Sequence, residues 1–132
     1  MIRLILLIVL FLGMSAIGGL FVQSSLQTWY MGLVKAPFNP PPAVFGCVWS
    51  ILYILLAYYM WKLYKMPQNN LTRKAKELFI LQLVLNFLWT PLFFGLQNSI
   101  LGMIDIILLD IVVLNLLFIS RCCRKSNSWR YF

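Results

Sequence analysis

The sequence contains no histidine, and only three of its 132 residues are acidic. The first absence removes the residue most used for proton transfer near neutral pH, the commonest metal ligand and the axial histidine of haem proteins. The acids, Glu77, Asp105 and Asp110, do not form a paired-carboxylate centre. Asp105 and Asp110 are five residues apart and point about 140° from each other on a helix. Cysteine is scarce as well. Cys47 lies in an apolar run, and Cys122 and Cys123 sit together at the end of another, with no metal-ligand spacing and no disulfide framework. The adjacent pair reads as ordinary interfacial residues, with acylation as the alternative. Charge is thin overall: 11% of residues are charged, against about 25% in a soluble domain.

What fills the chain instead is apolar: 62% of residues are hydrophobic and 16% aromatic. The charges are clumped, and long apolar runs separate them. This is the composition of an all-α integral membrane protein, a transmembrane helix bundle forming one domain over 1–132. Four spans are predicted, at about 4–22, 43–63, 78–96 and 100–120, with a loop over 23–42 and a tail over 121–132. Continuous apolar runs exclude the alternation of a membrane β-barrel. The first span competes with a signal-peptide reading, but its core is long and no clear cleavage site follows. The net charge of +8 does not imply a nucleic-acid partner, because the cations flank the apolar runs, where lipid headgroups and topology account for them. With four spans, Arg3, the 62–76 cluster (Lys62, Lys65, Arg73, Lys74, Lys76) and the tail (Arg121, Arg124, Lys125, Arg130) share one side. Lys35 alone lies on the other. The positive-inside rule then puts the N-terminus inside and the 29–42 loop outside, with a bacterial inner membrane as the default location. The sequon Asn70–Thr72 falls in the inside loop and reads as chance.

Polar side chains inside spans are costly and therefore informative. Gln82 and Asn86 are four apart, and Trp89, Thr90 and Phe93 continue their face. Phe45, Trp49 and Tyr53 make an aromatic stripe of the same spacing on the second span. Two such faces describe a ligand pocket between helices; the plainer alternative is interhelical hydrogen bonding and packing. Asp105 lies towards the outer end of the fourth span, and Asp110 is central. Asp110 is expected to be neutral, bonded to a neighbouring helix or turned to a partner subunit, with a proton relay as the sharper alternative. Ser15, Gly18 and Gly19 allow a close helix approach on the first span.

These residues carry a resemblance. Trp29–Tyr30, Lys35, the "NPP" of 39–41, Val44–Phe45, Trp49 and Leu52–Tyr53 resemble the first-loop and second-helix signature of the TspO/MBR family. That family comprises the tryptophan-rich sensory proteins and the translocator or peripheral-type benzodiazepine receptor proteins. The stretch "QLVLNFLWTPLFFG" (82–95) is similar to its third-helix signature, and Asp105 matches an acid that many members carry on helix four. The resemblance implies a five-helix fold, commonly homodimeric, with a pocket beneath the first loop for porphyrins such as protoporphyrin IX or haem and for benzodiazepine-type ligands. It implies ligand contacts from Trp29, Tyr30, Phe38 and Pro40 in the loop, Trp49 and Tyr53 on helix two, Asn86 and Trp89 on helix three, and Asp105 on helix four. Two departures stand out. Ala36 and Phe38 replace the usual Pro and aromatic, often Trp, in "KAPFNPP", and the tail after Ser120 is expected to lack the family's fifth helix.

The function expected from this resemblance is binding of tetrapyrroles in the membrane, as sensor, chaperone or transporter, with no required cofactor and no metal. A four-helix drug or cation exporter is the alternative, but such exporters rely on an acid in the first span, which has none here. A light-dependent porphyrin-degrading enzyme is the third reading, and Phe38 weakens it, since Phe has no indole N–H and is harder to oxidise. Leu56–Lys62 ("LAYYMWK") fits the loose pattern for sterol contact.

Overall fold

A computed structural model describes residues 1–125, which form four long helices. They are α1 (Ile2–Leu26), α2 (Pro42–Lys65), α3 (Asn70–Thr90) and α4 (Ser99–Lys125). A π-turn, Pro91–Gly95, continues α3, and a single 3₁₀ turn, Tyr30–Gly32, lies in the loop between α1 and α2. All four helices are long and apolar enough to cross a bilayer. Most of their large apolar side chains face outward, which in water would be untenable and in lipid is the expected surface. Residues 126–132 of the predicted tail, Arg130 among them, lie outside the described residues.

The helix ends have local causes. Pro41 and Pro42 both fix φ at about −65°: Pro41 is the extended N-cap (φ −64°, ψ 150°) and Pro42 the first helical residue of α2, the position where a missing N–H costs nothing. Lys62 and Lys65 sit in its last turn, favourable to the helix dipole. Asn69 caps α3, its Oδ1 accepting from the Thr72 N–H at 2.7 Å. Asn98 caps α4 twice, accepting from the Ile100 and Leu101 N–H groups at 3.0 and 3.1 Å. The turn before it needs a left-handed residue, and Gln97 takes that conformation with φ of 52°.

Three boundaries differ from the sequence expectation; one is the end of the fourth helix, expected at 120 with a tail from 121, whereas α4 continues to Lys125. The loop was expected from residue 23, yet α1 runs to Leu26, because Gln23–Ser25 are polar but helix-compatible and Ser25 finds a buried partner. The third helix was expected from 78, yet α3 starts at Asn70. The Asn69 cap begins it in the polar segment, eight residues before the hydrophobic run.

Packing is densest between α3 and α4 and between α1 and α2. Small residues permit this: Ala57 and Ala75 are fully buried. The core is formed by Phe11, Tyr53, Ala57, Leu63, Met66, Ala75, Phe79 and Leu116, most of which lie in the half of the bundle bearing the cation-rich ends. There the Tyr59 hydroxyl donates to Ser120 Oγ at 2.6 Å, and Ser120 in turn donates to the Leu116 carbonyl at 2.8 Å, tying α2 to α4. Towards the 27–41 loop the bundle opens into cavities.

Candidate ligand site beneath the loop

The i, i+4 stripe of α2 meets the corresponding face of α3. Trp49 and Trp89 stack with centroids 5.7 Å apart and planes at 25°. Phe45 lies 5.6 Å from Trp49 and 5.9 Å from Trp89. Tyr53 follows one turn below, 6.2 Å from Trp49, and meets Phe11 edge-on at 6.4 Å. Each such ring pair adds roughly 0.5–1.5 kcal/mol beyond burial.

Above this stack the π-turn does the positioning. Pro91 has no N–H to continue the α-helical ladder, and the turn closes instead with the Leu96 N–H donating to the Pro91 carbonyl at 2.9 Å. The wider turn presents two consecutive aromatics. Phe93 stacks on Trp89 at 5.2 Å and 7°, and Phe94 stands perpendicular to Phe93 at 4.9 Å. Gly102 on α4 leaves room for them: a Cβ there would lie 2.7 Å from Phe93 Cδ2. Ser25 Oγ donates to the Phe94 carbonyl at 2.6 Å, fastening the end of α1 to the turn.

The loop closes over these rings. Trp29 sits edge-on to Phe93 at 5.3 Å, and Tyr30 lies 5.5 Å from Phe94. The Tyr30 hydroxyl donates to Asn39 Oδ1 at 3.1 Å, and the Lys35 ammonium rests 4.4 Å over the Tyr30 ring. Prolines 40–42 follow directly, with few donors to leave unsatisfied.

Two adjoining cavities result. One, of about 200 Å³, lies between α1, α2 and α3, against Ser15, Gly18, Gly19, Trp49, Tyr53 and Thr90. The other, of about 260 Å³, lies under the loop, against Tyr30, Asn39, Pro40, Phe45, Trp89 and Phe93. Val22, Leu26 and Phe45 border both. Together they reach the range of small-molecule sites, roughly 300–1,000 Å³. The lining is apolar and flat-faced with few polar atoms. Among the described residues no three side chains of the His, Cys, Asp or Glu type are grouped to hold a metal.

Of the residues expected at a ligand, Tyr30, Pro40, Trp49, Tyr53 and Trp89 line these cavities, and Trp29 supports them through Phe93. Three others do not line them. Phe38 is 95% exposed, because the chain between Lys35 and Pro40 carries it away from the bundle. Asn86 and Asp105 are buried but outside the lining. Gln82 Oε1, Asn86 Oδ1, Trp89 Nε1 and Asp105 Oδ2 are all buried with no protein hydrogen-bond partner. Asp110 is exposed on the outer surface of α4, so of the two acids only Asp105, at 4% exposure, turns inward. Sequence reasoning missed the contribution of α1. Its signal is the Ser15–Gly18–Gly19 cluster, which the sequence suggests only as a helix contact: a Cβ at Gly18 would lie 3.5 Å from Thr90 Oγ1, whereas one at Gly19 would meet open space.

A multi-pass helical membrane protein with a tryptophan-rich pocket under a proline-locked loop is the class these features define. The comparison with known proteins narrows it: residues 5–130 match the TspO/MBR family, and the chain belongs to that family. It is 43% identical over 110 residues to the tryptophan-rich protein TspO of Archaeoglobus fulgidus, a match covering 83% of this chain and 71% of that protein. The TspO of Chlorobaculum tepidum is 34% identical over 112 residues, with the same coverage. The translocator protein of Homo sapiens is 34% identical over 97 residues, covering 71% of this chain and 57% of its own.

Proposed function

We propose that this chain binds porphyrins and related tetrapyrroles within the membrane, holding them as a sensor, chaperone or transporter of reactive pigments. The observation that carries the reading is the continuous aromatic wall from Tyr53 through Trp49, Trp89 and Phe93 to Tyr30, running beside two adjoining cavities. A flat, largely apolar macrocycle gains from stacking on such a wall, and synthetic ligands of benzodiazepine type are flat and apolar in the same way. Polar edges of the ligand would meet Asn39, Tyr30 and Ser15 around the rim. In this reading the loop faces outward and the cation-rich ends face the inside of a bacterial inner membrane.

The test is a fluorescence-quenching titration with protoporphyrin IX in detergent, run in the dark and under light. Saturable quenching of the cavity tryptophans supports the reading. Absence of quenching overturns it, and light-dependent loss of the porphyrin Soret band with product formation would replace simple binding with degradation.

A further inference from the structure

The inner end of α2 carries a second constellation, unconnected with the cavities. Tyr58, Trp61, Lys62 and Lys65 are spaced i, i+3, i+4 and i+7 and so share one helix face. The rings of Tyr58 and Trp61 stack with centroids 6.0 Å apart and planes at 27°. The Lys62 ammonium sits 4.6 Å above the Tyr58 ring, and the Lys65 ammonium 3.6 Å above the Trp61 ring. One turn of chain away, Lys76 of α3 reaches the Tyr64 ring at 5.0 Å. The stretch 58–77 holds five cations and a single acid, Glu77. That acid lies 3.9 Å from Arg73, both side chains being strongly exposed.

We infer that this face is a seat for the headgroup of an anionic phospholipid. Cation–π contact holds an ammonium at a fixed depth without neutralising it, so part of the ordering cost of binding an anion is already met. A lipid phosphodiester brings a single negative charge to this cationic face. The stacked Tyr–Trp pair occupies the rim of the span, where amphipathic rings meet the glycerol region. Zwitterionic headgroups bring their own cation into the same place and are disfavoured. A sterol is disfavoured too: in the Leu56–Tyr58–Lys62 pattern, the Lys62 ammonium covers a ring face of Tyr58 that a flat sterol would need.

The experiment is native mass spectrometry of the full chain extracted from phosphatidylcholine vesicles that contain a minor fraction of phosphatidylglycerol. The protein is expected to retain phosphatidylglycerol above its share. Each lysine near an anionic surface is worth about fivefold, so the double variant Lys62→Gln/Lys65→Gln is expected to lower retention by more than about tenfold. Trp61→Leu, which keeps both charges but removes a platform, is expected to lose part of it. Lys74→Gln, on the exposed side of α3, is expected to lose no more than the share of one surface lysine, about fivefold. Circular dichroism and elution volume of each variant establish that the bundle is intact, and Trp61→Leu tests the seat independently if the double variant is not. Equal loss in Lys74→Gln would reduce the effect to a general basic rim and overturn the proposal. So would displacement of the lipid by soluble glycerol phosphate, which marks a free-phosphate site, or by cholesterol, which marks a sterol site.

Discussion

Ser25 Oγ donates to the carbonyl of Phe94 at 2.6 Å, across 69 residues of sequence. The bond joins the last turn of α1 to the π-turn of α3, and it satisfies a carbonyl in a place that lipid cannot. Both residues are buried. The loop rings rest on the turn that this bond fastens, because Trp29 and Tyr30 pack on Phe93 and Phe94.

Ser25→Ala is therefore expected to cost about 1–3 kcal/mol, the penalty for an unsatisfied buried acceptor. Thermal unfolding in detergent should show a Tm lowered by several degrees, and porphyrin affinity should fall with it. An unchanged Tm would mean that the Phe94 carbonyl is satisfied from elsewhere and that the bond does not hold the lid.

Trp49→Ala is expected to weaken protoporphyrin IX binding by roughly 1–3 kcal/mol, since it removes the central ring of the wall. Trp49→Phe should recover most of the loss by keeping an aromatic face. Equal weakening by Phe and Ala in a quenching titration would count against stacking and in favour of a hydrogen bond from the indole.

The two faces that meet at Trp49 and Trp89 were legible in the sequence, because aromatics repeating every four residues can share only one side of a helix. The four spans were legible from apolar run length alone. Three features were not. The third span is expected to run through Pro91 to 96, and nothing in a linear pattern says that the chain will widen there into a π-turn and aim Phe93 and Phe94 at the loop. Ser25 reads as loop because its buried partner is 69 residues away. Asn86 shares the Gln82–Trp89 face by periodicity, and Asp105 is expected at the ligand only from the family resemblance, but neither signal names the neighbour that each side chain meets. The structure buries both outside the lining of the two cavities.

Gly102→Ala is expected to displace Phe93, since a Cβ would stand 2.7 Å from its Cδ2 and 3.1 Å from its Cβ. The first contact could yield by ring rotation, but the second involves an atom next to the backbone. Overpacking of this kind costs about 1–3 kcal/mol. The double variant Gly102→Ala/Phe93→Leu should be more stable than the sum of its single changes, as coupled neighbours are. Strict additivity in a thermal-unfolding cycle would show that the two residues do not press on each other.

Asn86 and Asp105 supply the last prediction, because their position separates stability from binding. Asn86 Oδ1 and Asp105 Oδ2 are both buried without a protein partner. The register of α3 and α4 brings them near one another: Gly102 faces Phe93, and Phe79 and Leu116 join one cluster, so Asp105 falls at the level of Trp89 and Thr90, about one turn from Asn86. A carboxylate in this setting loses its hydration for little return, whereas an amide of the same shape brings donors to neighbouring acceptors. Asp105→Asn is therefore expected to keep or raise Tm at neutral pH, and to leave porphyrin affinity within about threefold, under 1 kcal/mol. Asn86→Leu is likewise expected to keep or raise Tm and to leave porphyrin affinity within about threefold, because replacing an unsatisfied buried polar group by an apolar one of similar size is close to neutral or stabilising. A large loss of affinity in either variant, with Tm unchanged, would place these side chains at the ligand after all and require the cavities to extend between α3 and α4 when it binds.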